Sequence, residues 1–296
     1  MNKQELLTAS LEQKIDRTKV LIMDWYEQFD GKVYVAFSGG KDSTVLLHIV
    51  RSLYPDVPAV FANTGLEYPE IVEFVKTVPN TIITRPKMSF KEVLDRYGFP
   101  LITKEQSRYI EEIRTTKSDY FRDVRLNGKE MRNGRSKSFK LSEKWKYMLK
   151  APFKISDKCC DKIKKYPLHQ YEKETGRKAI IGTMAGESSR RKQLYLRDEC
   201  NQYHAKHPTS KPLSFWNETD VWKYIRDFNI PYSKIYEMGY PRTGCMFCMY
   251  GVQYEKLGET RFDKMKVTHP KLYEYCMEKL NLKLAIEWVN KSKKKA

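Results

Sequence analysis

The first hundred residues alternate between short apolar runs and longer segments whose apolar residues recur at helical spacing. Residues 33–37, 57–62 and 81–84 have the length and composition of buried strands. Residues 42–53 and 69–78 lie between them and carry the amphipathic pattern of helices. Strands that are apolar throughout and alternate with helices are typical of a parallel sheet covered on both faces. The pattern therefore predicts an α/β fold with a doubly wound, mainly parallel sheet.

Three further elements extend this pattern. Residues 6–29 predict an amphipathic helix or helix pair, residues 89–97 a helix that begins with a Ser-x-x-Glu capping box, and residues 178–181 a last short strand. We expect three regions along the chain. They are an N-terminal helical segment (1–30), a main α/β domain (31–250) with a basic insertion at about 104–150, and a helical C-terminal extension with a Lys-rich tail (251–296).

The basic insertion has fourteen Lys or Arg residues against seven acids between residues 104 and 150. Two interpretations stay open, a solvated helical hairpin and a nucleic-acid contact surface. Aromatic residues among the charges could stack on bases or anchor the segment to the core. These residues are Tyr109, Tyr120, Phe121 and Trp145.

Composition and charge narrow the class of protein. Hydrophobic residues make up 41% of the chain, which excludes wholesale disorder, and 55 Lys and Arg against 37 Asp and Glu give a net charge of +18. Such a charge attracts polyanions such as nucleic acid, nucleotides or acidic protein surfaces. Every apolar run is far shorter than the ~20 residues of a membrane span, and none follows the charges at the N-terminus. We expect a cytoplasmic protein with no membrane association.

A phosphate-binding loop is predicted where the first strand passes into a helix. Two glycines there permit close approach of a ligand, and the backbone N–H groups and the positive helix end can surround a phosphate. The spacing is not that of a Walker P-loop. The loop also offers hydroxyl donors, a cation and a carboxylate that could orient the loop or hold Mg²⁺. Its residues are Ser38, Gly39, Gly40, Lys41, Asp42, Ser43 and Thr44.

This string resembles the signature of the N-type ATP pyrophosphatases, the PP-loop family, whose members cleave ATP between the α and β phosphates. The resemblance implies ATP with Mg²⁺ as the ligand, an adenylated intermediate, and catalytic roles for Lys41 and Asp42. Asn63, Thr64 and Gly65 follow the next strand, where relatives carry an Asp-Thr-Gly stretch that lines the nucleotide pocket. The asparagine departs from that pattern.

Four of the six cysteines fall in two pairs, Cys159 with Cys160 and Cys245 with Cys248. Two thiolate pairs can complete a four-sulfur site for zinc or for an iron–sulfur cluster. The pairs resemble the [4Fe–4S] ligand set of adenylyl-sulfate reductases. This resemblance favours the cluster, and zinc is the alternative occupant. Residues 211–245 also resemble the C-terminal half of the phosphoadenylyl-sulfate (PAPS) reductase superfamily.

Together the resemblances cover about residues 30–250, and they imply a Rossmann-like fold of the adenine nucleotide alpha hydrolase type. A second anion-binding stretch of that superfamily matches Gly182, Glu187, Arg190 and Arg191. Arginines at a helix start suit a phosphate or sulfate group. Met184 stands where reductases tend to carry a basic residue, which weakens the case for a sulfated nucleotide.

The chain departs from the reductases in its C-terminal region. Those enzymes use a cysteine nucleophile within a Glu-Cys-Gly-Leu-His segment, which this sequence does not contain. Its late cysteine, Cys276, shares helical spacing with Leu272 and Leu280 and is predicted to lie in a core stripe. The intact ATP-type loop and the missing segment both favour ATP over adenylyl sulfate.

We therefore expect a PP-loop, [4Fe–4S]-dependent sulfur transferase that adenylates an acceptor, nucleic acid by preference, and inserts sulfur. One alternative is an adenylyl-sulfate or phosphoadenylyl-sulfate reductase of sulfate assimilation. A second is a non-catalytic nucleotide-binding partner in a larger complex. Expected partners are an adenine nucleotide, nucleic acid and a sulfur donor such as a cysteine desulfurase, or an electron donor. A homodimer is also considered.

Overall fold

The computed structural model of the protein describes residues 2–131, 134–256 and 258–291. The chain divides into two compact units that are each discontinuous in sequence. Unit 1 comprises Met1–Pro86 and Lys165–Gly244, and unit 2 comprises Lys87–Lys164 and Cys245–Ala296. The regions expected from sequence were continuous, and their boundaries stay a prediction. The Lys-rich tail beyond residue 291 lies outside the described residues, as do Arg132 and Asn133 of the basic insertion.

The first part of unit 1 follows the predicted alternation of strands and helices. Its elements are α1 (Lys3–Thr8), α2 (Leu11–Gln28), β1 (Val33–Ala36), α3 (Lys41–Leu53), β2 (Ala59–Ala62), α4 (Pro69–Thr77) and β3 (Thr81–Thr84). The N-terminal segment is thus a helix pair. Ser10 separates the two helices because its hydroxyl accepts a hydrogen bond from the Gln13 N–H at 3.2 Å and caps α2.

The remaining elements alternate between the units. The first part of unit 2 contains α5 (Phe90–Tyr97), α6 (Lys104–Thr115), α7 (Asp119–Asn127), the hairpin strands β4 (Lys129–Met131) and β5 (Gly134–Ser136), and α8 (Lys158–Cys160). The second part of unit 1 contains α9 (Tyr166–Thr175), β6 (Lys178–Ile180), α10 (Ser189–Arg197), β7 (Asn201–Gln202), β8 (Thr209–Ser210) and α11 (Glu218–Asp227). Unit 2 ends with α12 (Arg261–Thr268), α13 (Pro270–Glu274) and α14 (Leu282–Asn290).

Six strands of unit 1 form one sheet within the described residues, in the order β3-β2-β1-β6-β8-β7. All neighbouring pairs are parallel except β7 with β8. Val35 of β1 pairs with Ala59 on one side and with Ile180 on the other. The chain builds outward from β1 through β2 to β3 and then returns to β6, so the strand order reverses between β1 and β6. The predicted α/β, Rossmann-like fold with a mainly parallel sheet is confirmed.

The sheet is buried by apolar residues on the helices that follow its strands. Val33, Tyr34 and Val35 of β1 are at most 1% exposed. Helix α3 buries Val45, Leu46, Ile49 and Val50 completely. Each such side chain contributes about 1.5–3 kcal/mol when it is removed from water. The two elements that flank the predicted phosphate loop, β1 and α3, are therefore anchored in the core of unit 1.

The basic insertion is less exposed than its composition suggests. Tyr109 of α6 and Trp145 are buried, at 2% and 4% exposure, so neither is available to stack on a base. The Arg114 guanidinium fastens the segment by donating hydrogen bonds to four backbone carbonyls between Met148 and Phe153. Tyr120 on α7 is 67% exposed. It is the most exposed of the four aromatic residues considered for base stacking. Across the described residues, no helix has the length and apolar character needed to span a membrane.

Candidate nucleotide and cysteine sites

The predicted phosphate loop lies at the point where the strand order of the sheet reverses. Residues 37–40 leave the carboxyl end of β1, and residues 181–188 leave the carboxyl end of the adjacent β6. In open α/β sheets, ligands bind in the crevice at such a switch point. Gly182 lies directly against the start of α3, because a Cβ atom at this position would be 3.1 Å from the Asp42 carbonyl oxygen. The two predicted anion-binding stretches are thus brought together.

Hydroxyl groups within the loop hold its shape. The Ser43 hydroxyl accepts a hydrogen bond from the Ser38 N–H at 3.1 Å and donates to the Gly40 carbonyl at 2.9 Å. The Thr44 hydroxyl donates to the same carbonyl at 3.0 Å. Gly39 has a φ of +70°, and a Cβ atom there would come within 2.8 Å of the Ile71 side chain. Ser43 and Thr44 therefore brace the loop, and the hydroxyl of the exposed Ser38 adds two hydrogen bonds, one with the Ser43 hydroxyl at 3.0 Å and one from the Gly40 N–H at 3.4 Å.

The Lys41 side chain is held by residues from the C-terminal part of unit 1. It is 4% exposed, its ammonium donates to the Pro241 carbonyl at 3.1 Å, and Glu218 Oε1 lies 3.2 Å away. The ammonium also lies 6.0 Å and 5.4 Å from the ring centres of Trp222 and Tyr236. A phosphate bound to this ammonium would compete with the Glu218 carboxylate.

Two hydroxyls lie over Gly40 at the start of α3. The Tyr236 hydroxyl accepts a hydrogen bond from the Lys41 N–H at 2.7 Å, and the Thr243 hydroxyl would be 2.5 Å from a Cβ atom on Gly40. Burial raises the pKa of Tyr236 to about 12, so this hydroxyl stays protonated. Tyr236 thus takes a helix N-terminal N–H group that an anion would otherwise use. Sequence reasoning missed this contact, because nothing in the pattern places residue 236 beside residue 41.

The Asp42 carboxyl group is suited to a cation. Burial raises its pKa, and the nearby Lys41 partly offsets that effect. Its Oδ1 atom is buried and accepts no hydrogen bond among the described residues. The Lys41 ammonium lies 3.8 Å from this atom, and Mg²⁺ prefers carboxylate oxygens as ligands. The magnesium role of Asp42 stays a prediction.

The loop after β2 is a compact turn at the same edge of the sheet. The Thr64 hydroxyl donates to Glu67 Oε1 at 2.7 Å, the Thr64 N–H donates to the other carboxylate oxygen, and the Asn63 side chain accepts from the Gly65 N–H. Gly65 is exposed and has a φ of +75°. Glu67, which the sequence argument left without a role, is the residue that fixes this turn.

In the stretch after β6, charged side chains surround Glu187. This carboxylate pairs with Arg191 and with Arg242, the latter at 2.8 Å, and accepts a hydrogen bond from the Met184 N–H. Arg190 is exposed at the start of α10. Arg191 and Arg242 are also largely exposed, so both can reach an anion while they remain paired. Arg242 is an additional candidate that the sequence argument did not single out.

All four paired cysteines belong to unit 2, where the segment 99–102 connects them. Phe99 forms a parallel bridge with Ile155, four residues before Cys159. Ile102 forms a parallel bridge with Tyr250, two residues after Cys248. A Cβ atom on Gly98 would overlap the Lys154 backbone, so the close approach of these strands requires glycine. Two short pairings therefore bring together cysteines that lie far apart in the sequence.

The environment of these thiols fits a resident metal group. Burial raises the pKa of the Cys159 thiol, and Cys160, Cys245 and Cys248 raise it further. Burial raises the pKa of Tyr250, and Cys160, Cys159, Asp157 and Cys248 raise it further. The buried Tyr250 hydroxyl has no hydrogen-bond partner among the described residues. One buried and three partly buried thiols beside a free hydroxyl donor suit a cluster or metal with sulfur ligands. The residues present fit the group that the sequence predicts.

The remaining late cysteine lies in the core of unit 2. Cys276 is 0% exposed, and its thiol donates to the Tyr273 carbonyl at 3.2 Å. Burial raises its pKa to about 12. A thiol is a nucleophile only as the thiolate, so this group is unreactive near neutral pH. The prediction that Cys276 belongs to a core stripe is confirmed by its burial.

Comparison with known proteins agrees with this geometry. The family model for the phosphoadenosine phosphosulfate reductase domain matches residues 32–119 and 101–250. An uncharacterized protein of Methanocaldococcus jannaschii is 29% identical over 86% of this chain, which spans 42% of that protein's length. The adenosine 5'-phosphosulfate reductase of Geobacillus kaustophilus is 26% identical over 77% of each chain.

Among solved structures, the U34-tRNA thiolase NcsA from Methanococcus maripaludis with its [4Fe-4S] cluster is 18% identical. The match covers 93% of this chain and 80% of that one, with a TM-score of 0.39. The match of the family model extends over most of the chain, from the start of β1 to Tyr250. This protein therefore belongs to the phosphoadenosine phosphosulfate reductase domain family.

Proposed function

We propose that this protein is a sulfur transferase that binds ATP at the loop 38–44 and activates an acceptor, preferably on nucleic acid, by adenylation. The acceptor oxygen attacks the α-phosphorus of ATP, and pyrophosphate leaves. A donor such as a cysteine desulfurase carries the sulfur as a persulfide, and a thiol reductant supplies the two electrons that release it as hydrosulfide. The hydrosulfide sulfur then bonds to the acceptor atom, and AMP leaves with the original oxygen. Activation is needed because a carbonyl or phosphate oxygen is a poor leaving group and AMP is a good one.

The residues of unit 1 have distinct roles in this proposal. The backbone N–H groups at the start of α3 and the Lys41 ammonium bind the phosphates, and Asp42 holds Mg²⁺. Asn63, Thr64 and Gly65 line the nucleotide pocket. Gly182 permits close approach beside the loop, while Glu187 orients Arg191 and Arg242 toward the anion. Arg190 adds positive charge at the same edge.

In this proposal, the cysteines of unit 2 bind the group that carries the sulfur. Cys159, Cys160, Cys245 and Cys248 would bind a [4Fe–4S] cluster, which supplies iron–sulfur chemistry for holding the sulfur to be transferred. The Tyr250 hydroxyl would donate a hydrogen bond into that group. Zinc is the alternative occupant of the four thiolates.

One observation carries the choice of transfer over reduction. Reduction of adenylyl sulfate by a cysteine needs an accessible thiolate, and the Cys276 thiol is fully buried with a pKa of about 12. The burial of Cys276 therefore favours ATP as the substrate, and the hydrogen-bonded form of the loop 38–44 is consistent with this choice.

A reductase of adenylyl sulfate is the second candidate, because the G. kaustophilus reductase is similar over 77% of both chains. In that case Cys200 is the better nucleophile, since it is only partly buried. Burial raises its pKa, but Lys3 and Arg17 act in the opposite direction.

The two candidates differ in their products. Anaerobically purified protein should be given ATP with Mg²⁺ or adenylyl sulfate, each with and without nucleic acid, a sulfide source and an electron donor. We expect pyrophosphate from ATP, at a rate that nucleic acid increases, and no sulfite. Sulfite from adenylyl sulfate that is lost in Cys200→Ala would replace the transferase with the reductase.

Two matched glycine variants distinguish a loss of loop function from a general loss of stability. A Cβ atom on Gly40 would press on the Thr243 hydroxyl, whereas one on Gly186 makes ordinary contacts at 3.9 Å or more. Gly40→Ala should abolish pyrophosphate release, and Gly186→Ala should retain it. Equal rates in the two variants would contradict the assignment of the loop.

The nucleic-acid acceptor can be tested by charge reversal on the basic insertion. Lys117 and Lys129 are exposed there, and Lys76 and Lys173 are exposed controls in unit 1. If Lys117 and Lys129 both contact phosphates, the double variant Lys117→Glu, Lys129→Glu should reduce the magnitude of the slope of log affinity against log salt concentration by about 2. The control double variant should change that slope much less. Identical slopes would remove the insertion from the binding surface.

A further inference from the structure

A histidine-rich cluster in unit 1 lies apart from the residues assigned to nucleotide and cysteine chemistry. His169 and Glu172 are one turn apart on α9 and share a face, and His207 belongs to the loop between β7 and β8. One donor atom from each of the three lies within 4.8 Å of the other two. In the part of the chain that the structure describes, no other three His, Cys, Asp or Glu side chains have donor atoms within that distance of one another.

The spacing of the donor atoms suits a small divalent ion. His169 Nδ1 and Glu172 Oε2 are 3.0 Å apart. Two ligands at 2.0–2.1 Å from a tetrahedral zinc ion lie about 3.3 Å from each other. The rings of His169 and His207 stack with their centres 4.0 Å apart and their planes inclined by 27°. The donors are already close, and the stacked rings would have to rotate about their side-chain bonds to direct both nitrogen atoms at one ion.

A buried tyrosine orients the carboxylate. The Tyr34 hydroxyl donates to Glu172 Oε1 at 2.9 Å, which leaves Oε2 directed at His169. Tyr34 is 1% exposed and lies on β1. Metal-binding carboxylates in proteins are held by such outer hydrogen bonds, which fix the ligand before the ion arrives. The same bond also satisfies the buried Tyr34 hydroxyl.

The chemical types of the three donors also suit a metal ion. A divalent ion would be bound by one carboxylate oxygen and two imidazole nitrogen atoms, a ligand set that zinc accepts.

We propose that His169, Glu172 and His207 bind one zinc ion that fastens the loop 203–208 to α9. The fourth coordination position is open to water. This site uses no residue of the phosphate loop and none of the four paired cysteines, so it is independent of the reaction proposed above. Its role is structural, since it joins the loop before β8 to the helix before β6.

Counting bound metal in matched variants tests the proposal. Wild type, His207→Ala and His204→Ala are dialysed against Zn²⁺, and bound zinc is measured by elemental analysis. His204 is an exposed histidine in the same loop and is not in the cluster. We expect His207→Ala to lose one ion per chain and His204→Ala to lose none. Because all three proteins contain the same cysteines, zinc on the thiols cancels in the difference.

Two further variants keep the test decisive if His207→Ala folds poorly. Glu172→Gln retains the shape of the side chain but should lose the same ion. Tyr34→Phe should bind zinc about 10–100-fold more weakly, as expected when an outer hydrogen bond to a ligand is removed. Equal zinc content in His207→Ala and His204→Ala, or unchanged zinc affinity in both Glu172→Gln and Tyr34→Phe, would overturn the proposal.

Discussion

The phosphate loop of unit 1 and the cysteine region of unit 2 are built in opposite ways. In the loop, Ser38, Ser43 and Thr44 brace a backbone turn within seven consecutive residues. In the cysteine region, two pairs of thiols meet only because the segment 99–102 bridges to Ile155 on one side and Tyr250 on the other. The first site depends on local hydrogen bonds, whereas the second depends on contacts between distant parts of the chain.

This difference determines which substitutions disrupt each site. A locally braced loop keeps its shape when a distant residue changes, so its chemistry is best altered from within or by the side chains directly over it. A site assembled from distant segments loses its ligands whenever the connecting segment shifts. Burial also raises the pKa of the Cys159 and Cys276 thiols in unit 2.

The largest expected effect concerns the reactivity of a buried thiol. Cys276 has a pKa of about 12 and no exposed surface. At pH 8 the pKa alone should slow its alkylation about 1000-fold relative to an ordinary thiol, because only the thiolate reacts. The rate should rise about tenfold per pH unit up to that pKa. Peptide mapping after timed iodoacetamide treatment measures this, with urea-unfolded protein as the control. Fast modification of Cys276 in folded protein would contradict its burial and reopen the reductase assignment.

Gly98→Ala should disrupt the connecting segment of unit 2. The new Cβ atom would meet the Lys154 backbone at a φ of +98°, so the strands beside the cysteines must separate. We expect a loss of at least about 3 kcal/mol in the free energy of unfolding, together with loss of metal bound at the cysteines. Gly134→Ala is the matched control, because its φ is +99° and no heavy atom of the described residues would lie within 4 Å. Equal thermal stability of the two variants would show that the segment tolerates separation.

Gly39→Ala should act on the phosphate loop alone. Its Cβ atom would lie 2.8 Å from side-chain atoms of Ile71 and Val75 at a φ of +70°. The cost of about 1–3 kcal/mol should weaken ATP binding roughly 10–100-fold, measured by calorimetry, and leave metal at the cysteines unchanged. The control is Gly176→Ala, with a φ of +71° and no described heavy atom within 4 Å. If Gly39→Ala also removed that metal, the two regions would not be separable in this way.

Tyr236→Phe should give the smallest effect, with the opposite sign. Removing the hydroxyl frees the Lys41 N–H that it now occupies at 2.7 Å, so a phosphate no longer has to displace it. One neutral hydrogen bond is worth about 0.5–1.5 kcal/mol, which predicts two- to tenfold tighter ATP binding. Tyr232→Phe is the control, because Tyr232 packs on the same Trp222 ring and no bond to the loop involves it among the described residues. Weaker binding in Tyr236→Phe would make the hydroxyl a ligand contact.

The sequence predicts the locally determined parts of this molecule. The strands β1, β2 and β3 and the helices between them agree with the apolar pattern to within two residues. Burial explains the continuous hydrophobicity of β1 and β2, whereas β3 is an edge strand whose Ile82 and Ile83 are exposed, contrary to the expectation of a buried strand. The capping box at Ser89 marks the start of α5 for the same reason, since its signal is contained in four residues. The loop 38–44 belongs to this group.

Contacts between distant residues explain what the sequence does not reveal. The strands β7 and β8 have two residues each, too few to show a period, and their pairing is determined by the sheet. The composition of the basic insertion hides the apolar face of α6, where Tyr109, Ile110 and Ile113 are buried between charged positions. The contact of Tyr236 with Lys41 joins residues 195 positions apart, and no local pattern encodes it.

The discontinuous units impose an order on synthesis. Unit 1 lacks β6 and β8 until the ribosome has passed residue 210, and unit 2 lacks its second cysteine pair until residue 248. Cys245 follows Cys160 by 245 − 160 = 85 positions. At about 5–20 residues per second, the first thiol pair waits roughly 4–17 s on the nascent chain before the second pair is made. During that interval Cys159 and Cys160 are adjacent thiols without their partners, so the yield of active protein should depend on how reducing the cell is while translation proceeds.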